Sequence, residues 1–477
     1  MDILHRLEKE ILSADKLESD GVPSASIAIL DNGRVSAHVI SNGKEDIDTV
    51  YQACSISKAI VGLAVARLID QGRISYDTKV VNHLSQSAID CLVDVKTAHL
   101  LQHVTVGMLL SHTSGLSQGG FEGYPNHPPD VETVLAGKQG SNTPKIHFLT
   151  LPGAQFSYSG GGFTVLQLVL ENVTGQTIQQ LMQDLVLKPL DMTRSWYGNL
   201  PPSEQNYTSA GVTGYTRCEP SHHNFIELAA AGLWTTPTDM LKTVVAVQDS
   251  LYTSTGFLTT ATAQAMLAPL SLDTGLYSGT NELVAGRCVG GWQGNSMTFA
   301  HSGQNFPGYT SLLLGFIPGG TGSGNEENHA MHRSGIAIMT NSLIGHNVCI
   351  NQLVSAMFHL KGWPRYRHLS AGFREENWVP YAASEATVVD AAWREWKGSW
   401  GPAWRIVESE NGGPAVGYKD FPPMRLRSAA VGAAAGDDKK ELMFVVDGID
   451  VGVRFTWQGE ERVVEVMQKE ILTLRRS

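Results

Sequence analysis

Ser55-Ile56-Ser57-Lys58-Ala59-Ile60-Val61-Gly62-Leu63-Ala64-Val65-Ala66-Arg67-Leu68-Ile69-Asp70-Gln71 is the stretch on which the fold turns. Lys58 is its one charge before Arg67, and Gly72 follows as a helix stop. A helix of this composition has no polar face, so it belongs in the middle of the molecule. Ser55 and Lys58 stand one helical turn apart on one face, which sets an ammonium beside a hydroxyl. Burial disfavours the charged form of a lysine and can turn it into a base for a serine that is otherwise a weak nucleophile.

The spacing alone is weak. Ser-x-x-Lys occurs three times, at Ser13–Lys16, Ser41–Lys44 and Ser55–Lys58. The first lies on a charged helix and the second spans a Ser-Asn-Gly-Lys turn, so both pairs should be solvated. Only Ser55 opens a buried helix, whose unpaired amides and positive dipole end favour a developing oxyanion. An N-cap serine with a lysine reaching for solvent remains an equal reading of these residues taken alone.

Outward from this helix the patterns organise. Residues 25–40 read as two strands joined by Asp31-Asn32-Gly33, where Asn-Gly supplies the positive φ angles of a tight hairpin. Helical patterns recur at 104–111, 161–174, 177–187 and 236–250; strands return at 309–317 and 335–341, followed by a helix near 348–360. Early and late strands around a helical middle predict an α+β fold, an antiparallel sheet flanked by helices with a helical layer inserted. A boundary falls near 362–380, which divides a catalytic domain at 1–365 from a β-rich domain at 378–477 with short alternating strands. There Trp393, Trp396 and Trp400 read as core, and the Gly/Ala stretch at 430–436 as a loop.

The chain has 477 residues, beyond the ~250–300 at which a single core stops growing, in keeping with two domains. A net charge of −11 argues against nucleic acid or an anionic membrane as partner, since either needs a basic face. The amphipathic N-terminus is no signal peptide, and no apolar run reaches the ~18–20 residues that span a bilayer. Five scattered cysteines without a CxxC pair suggest neither a disulfide framework nor a zinc site. The expected setting is reducing and cytoplasmic.

Several further motifs follow Ser55-Ile56-Ser57-Lys58 in order. They are Leu109-Leu110-Ser111-His112-Thr113-Ser114-Gly115-Leu116; Pro152-Gly153 with Phe156 and Tyr158-Ser159-Gly160, then a helix ending at Val173-Thr174-Gly175; Lys188-Pro189-Leu190-Asp191-Met192; Ala231-Gly232-Leu233; and His301-Ser302-Gly303 before a strand. In this series, over roughly residues 20–360, the chain resembles the serine β-lactamase and penicillin-binding-protein superfamily. Its nearest likeness is to the branch of class C β-lactamases, D-aminopeptidases, esterases and fungal acyltransferases. The C-terminal part resembles the lipocalin-like domain that some members append, on Trp396-Lys397-Gly398-Ser399-Trp400 and its strand texture.

The resemblance implies a mechanism. Ser55 would attack a carbonyl and become acylated, Lys58 and Tyr158 would share the proton work, and Tyr158 would serve as phenolate or relay. The backbone amides of Ser55 and Gln304 would form the oxyanion hole. Gly160, His301, Ser302, Gly303 and Trp234 would line the substrate site; for Trp234 and Trp292, taken as residues alone, buried packing is the more frequent role of a tryptophan. No cofactor or metal is implied, and His222-His223 with His301 lack ligand spacing. The implied partner is a small-molecule acyl substrate, an ester, thioester or amide of specialised metabolism, with an acyl carrier or thioester as donor. A D-amino-acid peptidase or peptidyl cyclase, and a scaffold or sensor acylated without turnover, are the alternatives.

Two departures bear on substrate. Gly160 stands where the family carries the asparagine of Tyr-x-Asn, and His301 stands where it carries the lysine of Lys-Thr-Gly. The first removes an amide that would hold a peptide-like acyl group. The second should weaken carboxylate recognition and make it depend on pH. A literal Tyr124-Pro125-Asn126 lies in a proline-rich loop and is the poorer match. His112 is expected to hydrogen-bond within its loop rather than act as a base.

Overall fold

The computed structural model describes residues 3–205, 208–213, 216–253, 256–268, 293–294, 298–317, 333–361, 363, 391–410, 412–418, 423–428, 442–446, 451–458, 460–467 and 471–476. Trp292, Cys288, the boundary expected in 362–380 apart from Trp363, and the loop at 430–436 lie outside them.

The early hairpin forms from Ser24–Asp31 and Arg34–Ser41, turned by Asn32 and Gly33 at φ 49° and 78°. Both turn residues take the left-handed conformation that a two-residue hairpin loop requires. The hairpin joins the late strands in one antiparallel sheet. Its order is Arg34–Ser41, Ser24–Asp31, Gly335–Thr340, Tyr309–Phe316, Thr298–Asn305 and Gln293–Gly294.

Alternation along these strands builds a core on each face. Ile27, Ile29, Leu312, Leu314, Ile336 and Ile338 pack with Leu4 and Leu7 of the helix Ile3–Glu10 and with Leu353 and Met357 of the helix Asn351–Lys361. Ala28, Leu30, Leu313, Ala337 and Met339 face the other core, which contains the helices Ile56–Asp70 and Pro237–Tyr252. In the helix Ile56–Asp70 every residue from Ile56 to Ala66 is buried, as its lack of a polar face predicts. It stops where Gly72 turns to φ 67° and Arg73 N–H reaches the Leu68 carbonyl at 2.9 Å. The helix Gly160–Thr174 stops in the same manner at Gly175, φ 72°.

Toward the C-terminus eight antiparallel strands follow one another in sequence order from Gly398–Trp400 to Ile471–Arg475. Gly401 N–H to Arg475 O at 2.8 Å and a bridge between Trp400 and Arg476 bring the last strand back to the first. The sheet is therefore nearly a closed barrel, which removes exposed edges. Trp393, Trp396 and Trp400 are all buried, and Trp396 stacks on Phe455 with ring centroids 5.5 Å apart. Tyr418 of this sheet donates to the Gly153 carbonyl at 3.0 Å, a contact with the segment that leads to Tyr158. Among the described residues no helix is long and apolar enough to cross a membrane.

Candidate active site

The corner before the helix Ile56–Asp70 is set by Cys54, whose φ of 55° is left-handed for a residue with a side chain. Such a conformation costs roughly 1–2 kcal/mol and persists only where the surroundings hold it. Here they do. Ala53 N–H donates to Leu233 O at 2.8 Å, Ser311 Oγ donates to Ala53 O at 2.7 Å, and Ser57 Oγ donates to Cys54 O at 2.6 Å. Gly303 lets the late strand reach the corner, because a Cβ there would lie 2.7 Å from Cys54 Cβ and 2.8 Å from Ala53 O. Asn305, farther along that strand, donates to Gln52 Oε1 at 2.8 Å and to Ala231 O at 3.2 Å.

Ser55 emerges from this corner half-buried, and its side chain makes no cap hydrogen bond to the helix it precedes. The hydroxyl instead meets Lys58, whose Nζ donates to Ser55 Oγ at 3.1 Å and to the Ala230 carbonyl at 2.8 Å. Lys58 is 2% exposed, and burial brings its ammonium down to about 7. A neutral amine keeps two N–H groups and one lone pair. With one N–H on Ala230 O, the lone pair is available to the Ser55 proton.

Tyr158 completes the group, with its ring centroid 5.1 Å from Lys58 Nζ and its phenol hydrogen-bonded with Ser55. Burial raises this phenol well above its ordinary value, and the Ser55 hydrogen bond only partly offsets it. The phenolate expected from a neighbouring cation is therefore not what this environment favours, since Lys58 is itself near neutrality. A protonated relay fits. His112 holds the segment: its carbonyl accepts Ser157 N–H at 2.7 Å, its Nδ1 accepts Ser159 N–H at 3.1 Å, and its ring lies 4.3 Å from that of Tyr158. These bonds cross to the tyrosine segment, while the His112 N–H donates within its own loop to Leu109 O at 3.4 Å.

His301 also faces this group, 6.4 Å from Tyr158 ring to ring and 1% exposed. Its Nδ1 donates to Ser302 O at 2.6 Å, which leaves Nε2 as a buried acceptor without a partner among the described residues. Burial first, then the Lys58 charge, brings His301 down to about 3. Held this far down by burial, His301 is a poor stand-in for the missing lysine's cation near neutral pH.

The remaining expected residues fall as follows. Gln304 follows Gly303 at the Ser55 corner, and its side chain donates to Leu343 O at 2.8 Å. The Ser55 amide makes no backbone hydrogen bond among the described residues. Ser302 alternates to the other side of its strand from His301. Trp234 is only 5% exposed, edge-on to His222 and Tyr309 with centroids 5.0 and 5.8 Å away, so packing takes up its indole. Gly160 is buried and offers a ligand no side chain. Tyr124 pairs with Asn224 by its backbone and accepts Asn142 N–H on its phenol at 3.3 Å, and Asn142 also donates to Gly123 O.

The Ala230 carbonyl and the Cys54 conformation were missed in the sequence, and neither has a side-chain signal. Ala231-Gly232-Leu233 was the nearest clue: the carbonyl that holds Lys58 belongs to the residue before it.

A model of the family described as Beta-lactamase matches residues 9–350. Among curated relatives, the protein flp of Staphylococcus aureus strain MW2 is 29% identical over 206 residues, 40% of this chain and 37% of its own. Penicillin-binding protein 4 of Amycolatopsis lactamdurans is 28% identical over 183 residues, 36% of this chain and 44% of its own. The chain thus spans less than half the length of these relatives. Among solved structures, SurE matches 97% of this chain and 96% of its own at TM-score 0.54 and 16% identity. D-amino acid amidase of Ochrobactrum anthropi SV3 covers 73% of this chain and 96% of its own at TM-score 0.52 and 18% identity. These structures share the fold.

Proposed function

This chain belongs to the beta-lactamase family, and from that premise we propose that it is a serine acyl-enzyme hydrolase or acyltransferase acting on a small-molecule ester, thioester or amide. The observation that carries the reading is the buried Lys58 Nζ, 3.1 Å from a Ser55 Oγ that does not cap its helix. Lys58 takes the Ser55 proton as Oγ bonds to the acyl carbon. The oxyanion of the tetrahedral intermediate is held by the Ser55 and Gln304 amides, and Tyr158 passes its proton to the leaving group and takes the one on Lys58 in its place, so that both end as they began. Water or a second acceptor then releases the acyl group by the same steps in reverse. Neutral His301 and the absence of a side chain at Gly160 favour esters and thioesters of apolar acids over substrates with a free carboxylate.

The test is a fluorophosphonate probe followed by intact mass. The protein should gain one adduct, on Ser55. Labelling of Ser55→Ala at the parental rate would remove the assignment, and labelling without steady-state product would support a scaffold or sensor instead.

A further inference from the structure

The glycine at 160 is not an open subsite. A Cβ built there would lie 2.8 Å from Cε2 of Phe121, 3.2 Å from Gly119 O and 3.3 Å from Gln118 O. The loop that supplies these atoms is fastened to the start of the helix Gly160–Thr174. Gly160 and Gly161 both donate to Gln118 O, at 2.7 and 3.0 Å, and Ser159 Oγ donates to Ser117 O at 3.0 Å. At Gly161 a Cβ would fall 2.5 Å from Ser117 O, so the loop can lie this close only because glycines follow Ser159. The loop also borders the tyrosine: a Cβ on Gly119 would be 4.0 Å from Tyr158 Cδ1.

A second aromatic pair is tied to the residue after Phe121. The next carbonyl, Glu122 O, accepts His223 Nδ1–H at 2.7 Å, and the His223 ring lies 5.1 Å from that of Phe306. Phe306 is 43% exposed and stands two residues beyond Gln304. Phe121 and Phe306 therefore lie beside the tyrosine segment and the Gln304 strand, joined by His223.

Resting on the acyl-enzyme reading, we infer that Phe121 is a specificity-determining residue that makes the Tyr158 side of the acyl site an aromatic wall, selecting acyl groups that are apolar next to the carbonyl. An acylamino group at that carbon would set its N–H and C=O against the ring. Of the two loop carbonyls beside Gly160, Gly119 O and Gln118 O, the second already accepts two hydrogen bonds and neither can donate to the acylamino C=O, and buried polar groups without partners are costly.

The experiment compares kcat/KM for two p-nitrophenyl esters, the butyrate and the N-acetylglycinate, in the parent, Phe121→Ala and Phe121→Leu. Fluorophosphonate labelling of Ser55 is measured in parallel. The parent should favour the butyrate by about tenfold or more, Phe121→Ala should lower that ratio about tenfold by gaining on the N-acetylglycinate, and Phe121→Leu should fall between. A ratio within twofold of the parent in a Phe121→Ala protein labelled at the parental rate overturns the inference, as does a parent that prefers the N-acetylglycinate. If Phe121→Ala does not fold, Phe121→Leu decides at a threefold change. A parent that takes up no probe on Ser55 overturns the acyl-enzyme reading itself, an outcome separate from a wrong selectivity.

Discussion

Ser13–Lys16 and Ser55–Lys58 share a spacing and a place at the start of a helix, yet their side chains do opposite things. Ser13 Oγ accepts the Lys16 backbone amide at 3.3 Å as an N-cap, while Lys16 points outward and pairs with Asp20. Ser55 caps nothing, and Lys58 turns inward to the hydroxyl and to Ala230 O. In the first pair the serine supports the helix and the lysine is solvated. In the second the lysine is desolvated and the serine left available, so burial of the helix, not the spacing, separates a capping serine from the one proposed as nucleophile. Ser41–Lys44 sits with the first: Ser41 Oγ donates to Glu45 at 2.9 Å and accepts Gly43 N–H at 2.8 Å.

The sharpest break of this contrast is Ser55→Ala. Turnover should fall by roughly 10⁴–10⁶-fold, the range seen when a nucleophile is removed. The unfolding midpoint should barely move, because no helix cap is lost. A large drop in stability with residual turnover would show Ser55 to be a structural residue after all.

Lys58→Met separates the two effects in opposite directions. Acylation should slow by about 10²–10⁴-fold through loss of the base. Stability at pH 7 should rise, since a buried amine is exchanged for an apolar chain of similar shape. The sign follows from protons bound: the unfolded lysine titrates near 10.5 and the folded one near 7, so between these values the unfolded state holds more protons. The advantage of Lys58→Met should therefore be complete below pH 7 and fade toward pH 10.5. Thermal melts of both proteins at pH 6 and pH 10 check it, and equal differences at the two pH values would contradict a depressed Lys58.

The same titration should appear in the chemistry. Ser55 labelling should climb about tenfold per pH unit below 7 and level off above it, because only neutral Lys58 accepts a proton. Between pH 5.5 and 8 the gain is roughly thirtyfold. His301, held near 3, should add no step in that interval. An inflection that persists in Lys58→Met would assign the base to another group.

How much of this was legible in the sequence depends on where the physics resides. The hairpin, the buried helix and the late strands were readable because periodicity and turn chemistry are local. Ser55, Lys58 and Tyr158 were legible through their order along the chain, and the structure brings the three together. The acceptor at Ala230 was not, being a backbone atom 172 residues from Lys58. Nor was the environment of His301: its identity promised a titrating group, and only its burial shows a neutral one. Gly160 was read as a missing amide, whereas the loop at Ser117–Phe121 fills the place from some forty residues upstream. Sequence indicates which groups are present; the surroundings that set their charge come from distant segments.

The smallest effects should come from the solvated pair, and they complete the contrast. Ser13→Ala removes an N-cap and should cost about 1 kcal/mol, read as a lower denaturant midpoint. Ser55 labelling should not change, since Ser13 has no part in the acylating group. Lys16→Ala should cost less, about 0–0.5 kcal/mol, because Lys16 is 58% exposed and its pair with Asp20 is screened by water and salt. That small loss should shrink further at 1 M salt, where the Debye length falls to about 3 Å, while the Ser13→Ala loss should persist because a cap hydrogen bond is not screened in this way. A Lys16→Ala protein that labels more slowly than the parent would mean that the N-terminal helices reach the Ser55 corner energetically, and that burial alone does not divide the two pairs.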